Sequence, residues 1–244
     1  MATWIVHLRI AKNLLEMIDG LDTEQFLIGN LGPDLNIQAE DWETFKPPGD
    51  VTHFRNSSEN KYWSSDLEFY NQYLSDLKWP AKDPLRYSFI LGYFFHLLTD
   101  NLWHLEVGAP TEARYAEQFA ADPDFIWEVK RDWYGLDFIY LRDHPDAGFW
   151  IPFIDAEYNQ DYLEFFPPET IQEKLDYIKS FYQRQDEKIY SFIERDFIYL
   201  SEETMNAFIA NTSVRIYQIN NYLCGEHDEI DKFSSALDLP IDIP

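Results

Sequence analysis

A histidine, an aspartate and a second histidine recur at four-residue steps in one apolar stretch of the chain. These residues are His96, Asp100 and His104. On an α-helix, residues four apart lie on the same side, with about 5–6 Å between their Cβ atoms. Imidazole nitrogens and carboxylate oxygens are ligands that zinc prefers, and iron and manganese also accept them. The spacing therefore predicts a divalent metal site on one side of a helix.

Apolar residues surround this triad, which predicts that it faces the protein interior. Aromatic and aliphatic residues fill most positions from 89 to 103. A buried carboxylate is strongly destabilising unless it is compensated, and a metal ion would compensate it. Because Asp100 has two carboxylate oxygens, it could bridge two ions. Two ions about 3.5–4 Å apart can hold both the attacking and the leaving oxygen of a phosphoryl displacement.

Three further polar residues occupy apolar or turn-fixed settings. His7 shares a helix face with apolar residues, Asp34 follows the turn Gly32-Pro33, and His53 stands in a long loop. Taken singly, each has an ordinary explanation as a core histidine, a turn-capping aspartate or an exposed loop residue. The complete set of candidate metal ligands is His7, Asp34, His53, His96, Asp100 and His104.

Helices are the elements that must position these candidates. Thr3 and Asp83 are typical helix N-caps, and Gly20 and Gly225 are typical helix ends. The predicted helices run from Thr3 to Ile18, Thr23 to Asn30, Ser65 to Leu77, Asp83 through the triad, Asp122 to Arg142, Pro168 to Asp196 and Ser201 to Leu223.

Outside these helices, the sequence predicts little further regular secondary structure. The stretch from Leu35 to Tyr62 is rich in Pro, Gly, Asn and Asp and is predicted to be a long ordered loop. No run of alternating residues demands a strand. The chain is therefore predicted to be all-α, with a single multi-helix domain over residues 1–225 and an acidic, loosely ordered tail over residues 226–244.

Composition narrows the class of protein. The 44 acidic and 19 basic residues give a formal charge of −25. Nucleic acid is therefore not an expected partner, since its binding requires surface cations. No apolar run reaches the roughly 18 residues of a membrane-spanning helix, so stable membrane insertion is not expected. The start of the chain lacks signal-peptide features, and the single Cys224 is compatible with a reducing compartment, which predicts a cytoplasmic protein.

Four short motifs, taken in order, resemble the zinc-dependent phospholipase C family. They are Trp4-Ile-Val-His7-Leu-Arg-Ile-Ala, Phe26-Leu-Ile-Gly29-Asn-Leu-Gly32-Pro33-Asp34, Thr52-His53-Phe54, and Gly92-Tyr-Phe-Phe-His96-Leu-Leu-Thr-Asp100 with His104. The resemblance covers roughly residues 1–105 and is closest to an intracellular bacterial branch of the family. It implies a helical zinc hydrolase, related also to single-strand-specific zinc nucleases.

The resemblance also implies a role for each candidate. Asp34, His53 and His96 would bind one zinc. Asp100 would join them and bridge to a second zinc, which His7 also binds. A zinc-bound hydroxide would attack phosphorus in line, and Asp34 would orient or deprotonate the attacking water.

The chain departs from the secreted members of that family at the third metal. Those members use a terminal amine and a tryptophan carbonyl, whereas Trp4 is internal here. They also have a later His-x3-Glu pair, which is missing. His104 would bind the remaining ion, with Glu106 or Asp143 as candidates for its absent ligands. The expected cofactor is one to three zinc ions, with iron or manganese as alternatives.

Two functions of different class follow from these residues. The first is a phosphoesterase of phospholipase C type that acts on a small phosphoester or a phospholipid-like substrate. The overall charge favours a small or zwitterionic substrate over a long polyanion. The second is a metal-binding helical protein that has lost catalysis and serves as a structural or interaction module. Asp34 and the bridging candidate Asp100 favour the enzyme, and the incomplete third site favours the module.

Overall fold

The computed structural model describes residues 1–39, 44–55, 62–77, 82–167, 169–225 and 230–241, without the side chain of Asp231. Its α-helices are α1 (Trp4–Leu15), α2 (Thr23–Gly29), α3 (Gly49–Thr52), α4 (Asp66–Phe69), α5 (Pro84–Trp103), α6 (Ala109–Arg114), α7 (Ala116–Ala121), α8 (Phe125–Asp143), α9 (Thr170–Tyr182), α10 (Glu187–Ile193) and α11 (Glu202–Leu223). Within the described residues, strands are confined to the antiparallel pair β1 (Ile37–Gln38) and β2 (Phe45–Lys46). The prediction of an all-α fold is confirmed.

Thr3 and Asp83 stand at the N-caps where they are predicted, although the Thr3 side chain makes no capping hydrogen bond. The Asp83 carboxylate accepts a hydrogen bond from the Arg86 amide, and the Ser201 hydroxyl accepts one from the Thr204 amide. The prediction of a single helix from Pro168 to Asp196 is wrong. The Asp186 carboxylate accepts the amides of Lys188 and Ile189, so it caps a new helix, α10.

The predicted loop from Leu35 to Tyr62 contains more regular structure than its composition indicates. The β1–β2 pair and the single turn of α3 both lie within it. Residues 40–43 and 56–61 of this stretch lie outside the described residues.

Helix α5 forms the centre of the domain. Every residue from Tyr87 to Trp103 is buried, and α2 packs along it. The two helices approach closely because glycines face the contact: a Cβ on Gly29 would lie 2.1 Å from the Phe89 carbonyl oxygen. A Cβ on Gly92 would lie 2.5 Å from the Phe26 carbonyl oxygen. This contact sets the position of the turn that follows α2, which carries Asp34.

The C-terminal segment 230–241 packs onto the domain. Asp66 accepts hydrogen bonds from the Ser235 hydroxyl at 2.6 Å and the Ala236 amide at 2.7 Å. Asn101 on α5 donates to the same carboxylate at 2.9 Å, and burial raises the pKa of Asp66 to about 6. The prediction of a loose tail is therefore wrong for these residues. The tail residues 226–229 and 242–244 lie outside the described part of the chain.

The start of α1 is held by a buried carboxylate on α8. Asp137 accepts hydrogen bonds from the Thr3 hydroxyl at 2.8 Å and from the Tyr182 hydroxyl at 2.6 Å. Burial raises the pKa of Asp137 to about 7. The contact fixes the N-cap of the helix that carries His7 one turn later.

We expect the stability of the protein to fall between about pH 4 and pH 7 because of Asp137. Its pKa is higher in the folded than in the unfolded protein, so the folded state binds the proton more tightly in this range. As the pH rises through this range, the protonated carboxyl loses its favourable contribution to the free energy of unfolding. Asp137→Asn should reduce this decline by on the order of 1–4 kcal/mol in denaturant unfolding at pH 5 and pH 7.5. Equal declines in parent and variant would contradict this explanation.

Among the described residues, no helix is both long enough and apolar enough to cross a membrane.

Candidate metal centre

Five of the six predicted ligands meet at the middle of α5. His7 lies in the second turn of α1, and Asp34 ends the 3₁₀ turn Gly32–Asp34 after α2. His53 is the C-terminal cap of α3. His96 and Asp100 stand one turn apart on α5 itself. Stretches of chain that are far apart in sequence thus converge on one carboxylate, that of Asp100.

Asp100 contacts three imidazoles through its two oxygens. Its Oδ1 lies 3.5 Å from Nε2 of His7. Its Oδ2 lies 3.6 Å from Nε2 of His53 and 3.5 Å from Nε2 of His96. The His53 Nε2 is also 3.3 Å from Oδ1 of Asp34. The two oxygens of Asp100 therefore face different partners, as expected for a carboxylate that can bridge.

The ligand atoms form two overlapping groups. The first consists of His7, His96 and Asp100, and the second of Asp34, His53 and His96. Within each group the ligand atoms all lie within 4.8 Å of one another. His96 belongs to both groups, and its ring stacks on that of His7 with 3.7 Å between centroids. Each group offers three protein ligands, the number found in catalytic zinc sites that keep a position open.

The ligand atoms at the centre are buried, and they have no hydrogen-bond partner among the residues that the structure describes. These atoms are Nε2 of His7, His53 and His96 and Oδ2 of Asp100. Buried polar atoms without partners are costly and rare in folded proteins. Two ligands of a tetrahedral zinc, each about 2.0–2.1 Å from the ion, stand roughly 3.4 Å apart, close to the separations seen here. The residues present therefore fit a divalent metal ion.

Backbone carbonyls orient two of the imidazoles. Nδ1 of His96 lies 2.8 Å from the Asn30 carbonyl oxygen, and Nδ1 of His53 lies 3.0 Å from that of Gly49. A carbonyl oxygen only accepts, so Nδ1 must carry the proton in both rings. The Nε2 lone pair is then free for an ion, which is the usual arrangement around metal-binding histidines.

The protonation states also favour metal binding. Burial lowers the pKa of His7 to about 4 and lowers that of His53, so both rings are neutral near pH 7. Against the effect of burial, the close approach of His53 and the charge of His96 hold the pKa of Asp34 far below its usual value. The N-terminal amine and His96 do the same for the pKa of Asp100.

His96 differs from the other two histidines in its protonation. Burial, the largest single effect, acts to lower its pKa, but the charges of Asp100 and Asp34 and the Asn30 carbonyl together outweigh burial and raise the pKa of His96. A proton and a metal ion compete for the same Nε2 lone pair.

The structure does not bring His104 to this cluster. His104 stands at the C-terminal end of α5, where the π-helical turn His104–Gly108 begins, and it belongs to neither ligand group. The His104 ring lies 5.4 Å from that of Tyr62. Asp143 is exposed and pairs with Arg142 at 2.7 Å. Ligation by His104, with a third ion, stays a prediction that this geometry does not support.

A cavity of about 320 Å³ opens onto the centre. Asp34 and His53 lie in its wall, together with three basic residues that the sequence analysis did not identify: Arg55, Lys130 and Lys174. These basic residues come from separate elements, after α3, on α8 and on α9. Because they have no common spacing along the chain, no sequence pattern could have grouped them.

Comparison with known proteins agrees with this geometry. The family model described as zinc dependent phospholipase C matches residues 6–214. The chain belongs to this family. Its match to the zinc-dependent phospholipase C family extends well beyond the four motifs of residues 1–105 and covers most of the chain. Family membership supports a metal-dependent hydrolase and implies zinc as the metal. No curated protein sequence and no solved structure matches the chain.

Proposed function

We propose that this protein is a zinc-dependent phosphoesterase of phospholipase C type. The observation that carries the proposal is the buried convergence of five ligand residues beside an open cavity: His7, Asp34, His53, His96 and Asp100. The substrate would be a small phosphoester or a phospholipid-like molecule. The family match supports a substrate of lipid type.

The ligand residues divide into a buried part and a part that faces the substrate space. The Asp100 side chain is 2% exposed, whereas that of Asp34 is 12% exposed and lines the cavity. When bound, a divalent ion supplies Lewis acidity and lowers the pKa of a water molecule that it coordinates. His7, His96 and Asp100, which do not line the cavity, would hold the ions from the buried side.

Asp34 is the residue best placed to act on the attacking water. It contacts His53 on one side and the cavity on the other. As an ionised carboxylate, Asp34 would accept a hydrogen bond from the water. This hydrogen bond would direct a lone pair of the water oxygen toward phosphorus. Positioning of this kind, with proton transfer, contributes typically about 10²–10⁴-fold to a rate.

The proposal is tested with bis(p-nitrophenyl) phosphate and zinc-loaded protein. We expect steady turnover by the parent and at least roughly 100-fold slower turnover by Asp34→Asn, because the amide cannot accept a proton. Asp155→Asn, which changes an exposed aspartate away from the cavity, is the matched control and should retain the parent rate. Zinc content is measured on the same samples.

One outcome would contradict the role of Asp34, and another would contradict the proposed activity. Equal rates in the parent and in Asp34→Asn would exclude Asp34 from catalysis. Zinc binding without turnover of this diester or of a phospholipid would favour the alternative function, a metal-binding structural or interaction protein.

A further inference from the structure

The cavity beside the metal centre gathers positive charge in a protein of strongly negative charge. Arg55, Lys130 and Lys174 all line it, although the chain has only 19 basic residues against 44 acidic ones. Among the described residues of the cavity wall, the acidic one is Asp34, which belongs to the metal centre. The space that a substrate would occupy therefore has the opposite charge to the rest of the protein.

Within the described part of the chain, these three cations lack the ion pairs that other basic residues form. Arg195 pairs with Glu128 at 2.7 Å. Within the described residues, no carboxylate lies within ion-pair distance of Arg55, Lys130 or Lys174, and the Nε of Arg55 is buried without a hydrogen-bond partner. Unpaired cations in a partly desolvated cavity are unfavourable, and an anionic ligand would compensate them.

Aromatic rings hold the two lysines in place. The Lys174 Nζ lies 5.1 Å from the ring centre of Tyr177 and 5.3 Å from that of Trp4. The Lys130 Nζ lies 5.0 Å from the ring centre of Trp127 and 6.0 Å from that of Trp133. Trp4 and Trp133 also line the cavity. Contacts of this kind fix the ammonium groups without neutralising their charge.

The charge of the scissile phosphodiester does not account for three cations. A phosphodiester carries one negative charge, and ions at the His/Asp cluster would already face it. Zwitterionic headgroups would in addition place an ammonium group beside Arg55, Lys130 and Lys174, which is unfavourable. The cations of the cavity therefore argue against a zwitterionic substrate, which the overall charge of the protein had favoured.

We propose that the cavity selects phosphoesters that carry a second anionic group, such as a carboxylate, with Arg55, Lys130 and Lys174 as the residues that determine this specificity. The inference rests on the proposed function, since it names the substrate class for the same site.

A matched pair of ligands tests binding independently of turnover. O-phosphoserine and O-phosphoethanolamine differ by one carboxylate. We expect isothermal titration calorimetry on the purified protein to show at least roughly 10-fold tighter binding of O-phosphoserine, equivalent to about 1.4 kcal/mol. Lys130→Met and Lys174→Met keep the aliphatic stem and should each reduce this preference severalfold. Lys188→Met, at an exposed lysine outside the cavity, should leave it unchanged.

The same comparison is then made for hydrolysis, with dihexanoyl phosphatidylserine and phosphatidylethanolamine as substrates. We expect the zinc-loaded parent to have the higher kcat/KM for the serine ester. The lysine variants should lose that advantage, and denaturant unfolding curves that match that of Lys188→Met should show that they are folded.

The outcomes separate this inference from the proposed function. Turnover of bis(p-nitrophenyl) phosphate without any preference between the paired ligands would overturn the inference alone. A preference that survives in both lysine variants would also overturn it. Failure to hydrolyse any phosphoester would instead contradict the proposed function, whatever the binding result.

Discussion

Replacing His96 and Asp100 together by alanine is expected to remove nearly all bound zinc. His96 belongs to both ligand groups, and Asp100 contacts the three imidazoles of the cluster. Without these two residues, neither group retains three protein ligands. We expect about one to two equivalents of zinc in the purified parent by elemental analysis, and below about 0.2 in the double variant.

Two further variants make the metal experiment specific. His144→Ala removes an exposed histidine whose ring stacks on Tyr140, so its zinc content should equal that of the parent. Asp100→Asn keeps the shape of the side chain and an oxygen that can accept the Ala2 amide, which donates to Asp100 at 2.9 Å. It should still lose most of the metal because the charge is removed. Equal metal content in the parent and the double variant would end the assignment.

Gly92→Ala is expected to destabilise the protein and to weaken metal binding. The added Cβ would lie 2.5 Å from the Phe26 carbonyl oxygen and 2.9 Å from the Asn30 amide nitrogen. Both neighbours are backbone atoms, so α2 must move away from α5. Alanine gains about 1 kcal/mol of helix propensity over glycine, but overpacking against backbone typically costs about 1–3 kcal/mol and can cost more.

The displacement should reach the metal centre through Asn30. Its carbonyl oxygen accepts from Nδ1 of His96 at 2.8 Å, and Asp34 follows four residues later. We therefore expect a net loss on the order of 1–2 kcal/mol in unfolding free energy, together with weaker zinc binding in competition with a chelator. Gly148→Ala is the control, since its nearest neighbour would be the Lys12 Cβ at 3.7 Å. Similar unfolding curves for both variants would show that the close helix contact is not required.

Local residue patterns determined the helices and much of the candidate centre. The four-residue step from His96 to Asp100 fixes their common side on α5, because helical periodicity depends only on near neighbours. Capping by Asp83 and Ser201 is local for the same reason. The inclusion of His7, Asp34 and His53 depended instead on the ordered motifs of the family, since no local rule relates residues that are far apart in the chain.

Tertiary structure alone decided which candidates meet and what surrounds them. His104 obeys the same spacing as His96, but it stands at the end of α5, where no other ligand residue of the described chain reaches it, and it lies outside both ligand groups. Arg55 and Lys130 come together at the cavity only because α3 and α8 both pack beside the centre. Such contacts between distant segments depend on how closely helices approach, which is set by shape and burial across the whole domain rather than by the order of neighbouring residues.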